Sequence, residues 1–199
     1  MQKNYLIAAF EKTAAERFPA QAQELLASMH QRIEALREDY AGASRETWEH
    51  LESQIMPGIA IYEVLQTVVS KEEALQLIHS YVNAHAQRYH ILFRRLLKLP
   101  GLYRTMPSIF AKGVEERFGT AAGFRSIQRE VTKDVIRFDM VRCPYHEACK
   151  KYNCPELCRC FCDSDDITYD GLHPKLIWHR TKTLGRGDDC CDFGLMVKK

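Results

Sequence analysis

The hydrophobic period of this chain changes once, and the change divides it. From Tyr5 to Phe118 apolar residues recur every three or four positions, and from Phe124 onward they alternate. A period near 3.6 builds helices with one buried stripe, and a period of two builds strands with one buried face. Helices first and strands afterwards argue for an α+β fold. A helical part over residues 1–119 is expected to pack on an antiparallel sheet over residues 120–199, and 199 residues suit a single domain.

Within the helical part, Leu6, Phe10 and Ala14 mark one face. Ala22, Leu25, Leu26, Met29, Ile33, Leu36 and Tyr40 mark a second, with Pro19 expected in that helix's first turn. Gly42 is placed to end this helix and Ser44 to cap the next. That next helix carries Trp48, Leu51 and Ile55 and should kink or break at Pro57-Gly58. Ser70-Lys71-Glu72-Glu73 reads as a capping box that opens a long helix to about Leu97. Its stripe runs Ala74, Ile78, Tyr81, His85, Tyr89, Leu92 and Leu96, and His85 on it reads as a hydrogen-bonded core histidine. Residues 107–118 support one further short helix.

In the second part Ile136, Phe138 and Met140 alternate against Arg137 and Asp139. Residues 124–131 read as a hairpin partner across Thr132-Lys133-Asp134. Residues 175–183 and the alternating Cys191, Phe193, Leu195 and Val197 complete about four strands, with residues 184–189 as the loop between them.

All eight cysteines fall between positions 143 and 191. A Cys-rich insertion at 143–170 should hold two short helices. Pro144 opens one, with His146 and Cys149 on one face. Pro155 opens the other, with Cys154, Cys158 and Cys162 on one stripe and Cys160 elsewhere. No CxxC pair occurs, and the spacings match neither a zinc knuckle nor a ferredoxin run, so no metal or other cofactor is expected. The alternative is a zinc or iron site built from His146, Cys149, Cys154 and Cys158. Cys154, Cys158 and Cys160 equally suit the role of small buried hydrophobes.

The net charge of +2, with basic and acidic residues interspersed, leaves no footprint for nucleic acid. No apolar window is long enough for a membrane span, and the N-terminal stretch is too short and charged for a signal peptide. Eight cysteines without an export signal point to a reducing compartment, hence the cytoplasm. Oligomeric state has no signal here.

Cys162-Asp163, followed after a linker by His179-Arg180-Thr181-x-Thr183-Leu184-x-x-Gly187-Asp188-x-x-Cys191-Asp192-Phe193, resembles the bacterial L-2-amino-thiazoline-4-carboxylic acid hydrolase family. The resemblance is concentrated in residues 162–193 and implies a hydrolase that opens a small cyclic C–N/C–S substrate to N-carbamoyl-cysteine. The partner is then a small-molecule carboxylate. The resemblance supplies positions, and the chemistry suggests roles. Cys191 is the candidate nucleophile, Asp188, Asp163 or Asp192 the candidate acid/base, and Cys162 lies beside them. Arg180, flanked by His179 and Thr181, is the candidate carboxylate clamp, because a guanidinium fork matches two oxygens. Carboxylates beside a thiol raise its pKa, so a thiolate here would need help from Arg180, His179 or a helix N-terminus. Helices followed by an antiparallel sheet also resemble the 4-vinyl-reductase-like sensor domains. That alternative is a non-catalytic module for small-molecule, metal or redox sensing.

Overall fold

The computed structural model describes residues 4–198. Helix α1 (Tyr5–Arg17) buries Leu6, Phe10 and Ala14, and α2 (Ala22–Glu38) buries Leu25, Met29, Ile33 and Leu36. Pro19 lies in the turn before α2 and not in its first turn. The Phe18 amide still closes α1 on the Ala14 carbonyl, and the Gln21 amide bonds the Phe18 carbonyl, so the reversal itself occupies residues 18–21.

Ser44 caps α3 (Arg45–His50), its hydroxyl accepting from the Thr47 amide at 3.1 Å. No break follows at Pro57-Gly58. Instead α3 runs through a π-helical turn, Leu51–Ile55, into α4 (Met56–Leu65). Pro57 has no N–H for the Ser53 carbonyl one turn back. The Met56 amide reaches back five residues to Leu51, which also leaves the Glu52 carbonyl without its usual partner. Asn4 satisfies both: its side-chain amide donates to Glu52 O at 3.0 Å and Ser53 O at 2.9 Å. The same side chain caps α1 by accepting from the Leu6 and Ile7 amides. One residue therefore replaces a kink with a wide turn.

Ser70 caps the long α5 (Lys71–Leu96) through the Glu73 amide. The expected box is half formed, because the Glu73 carboxylate turns to Arg17 on α1. Along α5 the apolar stripe is buried at Ala74, Ile78 and Tyr81, but Tyr89, Leu92 and Leu96 are exposed. His85, where burial changes, is half-buried and stacks on Tyr5 with ring centroids 3.8 Å apart. Helix α6 (Met106–Arg117) follows.

Strands β1 (Arg125–Val131), β2 (Val135–Arg142), β3 (Leu176–His179) and β4 (Cys191–Val197) form one antiparallel sheet in the order β1-β2-β4-β3. β1 is an exposed edge, while Ile136, Phe138 and Met140 of β2 face the core. β3 ends four residues short of the expected Thr183, since the amides of Thr181, Lys182 and Thr183 bond aspartate side chains and not a neighbouring strand. Helices α7 (Pro144–Lys151) and α8 (Cys158–Tyr169) fill the connection from β2 to β3. Phe110 of α6 and Tyr169 of α8 meet Phe138, Trp178 and Phe193 of the sheet, with ring centroids 4.9 to 6.2 Å apart. This aromatic layer joins sheet to helices. No helix among the described residues is long and apolar enough to cross a membrane.

Candidate functional site

Helix α8 presents two chemically different faces. Ser164, Asp165, Thr168 and Tyr169, spaced as one helical face, line a cavity of about 1450 Å³. Tyr5 of α1, His85, Tyr89 and Phe93 of α5, and Phe110, Val114 and Arg117 of α6 form further walls, and His30, Arg37, Glu49, Glu52 and Pro57 line the side towards α2, α3 and α4. Cys158, Cys162 and Asp166 form an adjoining stripe of α8. There the thiols of Cys158 and Cys162 abut Gly185 in the β3–β4 loop, and Asp166 meets Trp178 and Arg180.

Asp165 is the polar centre of the cavity wall. Water reaches 40% of its side-chain surface, and Arg180 packs against the rest. Burial pushes it up to about 6, outweighing the pull of Arg180 in the other direction, and Asp166 and Asp163 add repulsion. A carboxyl poised near neutrality inside a cavity suits proton transfer.

Arg180 lies behind it, with a side chain only 1% exposed. Its Nη1 donates to Asp165 at 3.1 Å, and its Nη2 donates to Asp166 and to the Cys162 carbonyl at 2.8 Å. The guanidinium also lies over the Phe193 ring, 5.5 Å from its centroid. Its Nε has no hydrogen-bond partner among the described residues. Arg180 is thus tied to α8 through both terminal nitrogens. Asp166 completes the lock by accepting from the Trp178 indole at 2.8 Å.

The rest of the string after Arg180 is occupied in holding its own loop. Asp192 accepts from the Thr181 amide and hydroxyl and the Lys182 amide, with His179 at 3.6 Å. Asp188 accepts from the Thr183 amide at 2.8 Å. Gly187 takes a positive φ of 91° that a side chain would strain. Asp163 faces away from the cavity, between Arg186 at 2.9 Å and His79 at 3.3 Å. Cys162, Arg180, Asp188 and Cys191 therefore belong to one contiguous patch, but that patch is a packed seam between loop and helix. None of the residues expected at the site, Cys162, Asp163, His179, Arg180, Thr181, Asp188 or Cys191, is among the residues lining the cavity.

The thiols share this seam. Cys191 is buried, its sulfur 3.3 Å from the Leu184 amide, and burial pushes its thiol up to about 12. Cys158 and Cys162 have sulfurs 3.8 Å apart, and each is raised first by hydrogen bonding to a neighbouring thiol. Neutral buried thiols are poor nucleophiles. Among the described residues no group of three or more His, Cys, Asp or Glu side chains is arranged to hold a metal ion, and His146 does not complete a set with Cys149, Cys154 and Cys158.

Sequence patterning passed over three other residues. Arg117, the last residue of α6, lines the cavity, and no carboxylate among the described residues forms an ion pair with it. Its backbone is fixed by His50, whose Nε2 lies 2.7 Å from the Arg117 carbonyl and so carries the proton. His50 Nδ1 then accepts from the Tyr145 hydroxyl at 3.1 Å. Burial lowers the His50 pKa, keeping the ring in the neutral form this relay requires. Tyr145 is within electrostatic reach of Tyr5, Asp165 and Arg117. The one available signal of this wall was the helical spacing of Ser164, Asp165, Thr168 and Tyr169.

A family model described as L-2-amino-thiazoline-4-carboxylic acid hydrolase matches residues 48–195, most of the chain. Comparison with curated proteins and with solved structures gave no match.

Proposed function

The chain belongs to the L-2-amino-thiazoline-4-carboxylic acid hydrolase family, and from that premise we propose that it hydrolyses a small cyclic amidine-like carboxylate at the Asp165 cavity. The observation that carries this reading is a carboxyl on the cavity wall backed by a buried guanidinium at 3.1 Å, with burial raising the carboxyl's pKa. In L-2-amino-thiazoline-4-carboxylate, water must attack the ring carbon between sulfur and nitrogen. Ionised Asp165 takes a proton from that water as the C–O bond forms. That proton passes on to the ring nitrogen as the C=N bond is lost, and the C–S bond then breaks as the hydroxyl proton of the adduct passes to the leaving sulfur, giving N-carbamoyl-cysteine. One water enters and no oxidant or cofactor is needed.

Arg117 is the proposed clamp for the substrate carboxylate, since it lines the cavity and no carboxylate among the described residues forms an ion pair with it. Arg180 acts through Asp165 and is a positioning residue. Cys191, Cys162, Asp188, Asp163, His179 and Thr181 support α8 from behind in this proposal. The eight free thiols agree with a reducing, cytoplasmic setting in a bacterial cell, which is part of the same reading.

Steady-state hydrolysis of L-2-amino-thiazoline-4-carboxylate across pH tests the assignment. kcat/KM should rise through about pH 6 and level above it, and Asp165→Asn should lower kcat by about 10²–10³. A pH profile unchanged in Asp165→Asn would remove Asp165 as the base.

The size and aromatic lining of the cavity also suit the second reading, a non-catalytic sensing module. In that case ligand binds without turnover in both wild type and Asp165→Asn.

A further inference from the structure

The volume of the cavity, about 1450 Å³, exceeds the roughly 300–1,000 Å³ in which drug-sized ligands sit. An amino-thiazoline carboxylate, a single five-membered ring, would leave most of it empty. Polar residues such as His30, Arg37, Glu49 and Glu52 line one part of that space, and an apolar wall lines another. Beyond Asp165 and Arg117 the wall continues through Phe93, Leu96, Ile109 and Phe110. Leu96 and Ile109 are 47% and 56% exposed, although they border one cavity and lie on facing helices. Apolar surface gathered at a cavity marks a ligand surface more than scattered exposed residues do.

Gly113 points the same way. It sits inside α6, where glycine is a weaker helix former than alanine. Its φ is not positive, and a Cβ built on it meets nothing within 4 Å, so neither a turn nor close packing requires it. It lines the cavity. The consequence of glycine here is room.

Resting on the reading that this cavity is the active site, we propose that its ligand is an amphipathic carboxylic acid, with the carboxylate at Arg117 and an apolar body along the α5–α6 wall past Gly113. The cyclic group to be opened would be one end of a larger molecule.

Calorimetric titration of the full chain with straight-chain monocarboxylates, butanoate to decanoate, tests this without turnover. Affinity should rise by about fourfold per added methylene until the wall is filled. Gly113→Leu, which improves helix propensity and meets open space, should leave butanoate binding unchanged and weaken decanoate at least tenfold. Arg117→Gln should weaken every acid by a similar factor. Affinity that is flat with chain length, or a Gly113→Leu protein that binds decanoate as wild type does, overturns the proposal. The two readings fail separately. Length-dependent binding with no hydrolysis of any cyclic acid overturns only the catalytic reading. Hydrolysis lost in Asp165→Asn, with wild-type binding indifferent to chain length, overturns only this one.

Discussion

Asp165 and Arg180 show how burial divides roles between two partners. The guanidinium is sealed, and the carboxyl keeps one side on the cavity. Because the folded pKa of Asp165, about 6, lies above its ordinary 3.8, its favourable contribution to stability is complete below 3.8 and is lost as pH rises through about 6. Thermal unfolding followed from pH 4 to 8 should show wild type losing stability relative to Asp165→Asn over that window. An equal pH dependence would mean that Asp165 titrates normally. Arg180→Met strands Asp165 and Asp166 beside apolar surface. Since both carboxylates keep some access to water, the cost should be about 2–3 kcal/mol by denaturant unfolding, below the value for fully buried pairs. Arg180 was legible as important from its neighbours in sequence. Its role was not, because a guanidinium that clamps a substrate and one that holds a helix look alike until their partners are known. Asp165 was hidden among neighbouring aspartates, Asp163 and Asp166, that local sequence does not tell apart.

Two joints between elements carry unusual weight. Asn4 caps α1 and serves both carbonyls orphaned by the π-helical turn, so Asn4→Ala should cost about 2 kcal/mol and loosen the α1–α4 wall of the cavity. Gly185 brings the β3–β4 loop onto α8; a Cβ there would lie 2.8 Å from Cys162 Sγ and 3.3 Å from Cys158 Sγ. Gly185→Ala should cost about 1–3 kcal/mol, and Cys162→Ala in the same chain should recover part of it. Independent, additive effects in that double-mutant cycle would contradict the contact. The capping serine at 70 and the strand alternation at 136–140 were readable because they are local. The π-helical turn was not, since it depends on Asn4, 48 residues away in sequence from Glu52.

At the scale of the molecule, the single change of hydrophobic period anticipated helices followed by an antiparallel sheet, and the Cys-bearing helices fall between β2 and β3 as spacing implied. Periodicity says which face of each element is apolar, not whether two apolar faces close on one another. The exposed half of the α5 stripe and the open side of α6 fail to close, and that gap is the cavity. The string from His179 to Phe193 carries the family resemblance and folds into the seam against α8, outside the cavity lining. The two accounts of catalysis, a thiol at Cys191 or water activated by Asp165, part most sharply when Asp165→Asn and Cys191→Ala are assayed side by side on L-2-amino-thiazoline-4-carboxylate, with circular dichroism showing both folded. The cavity account predicts a fall of about 10²–10³ in kcat for Asp165→Asn and a rate within a few-fold of wild type for Cys191→Ala. The reverse order, an inert Cys191→Ala beside a fully active Asp165→Asn, would contradict it.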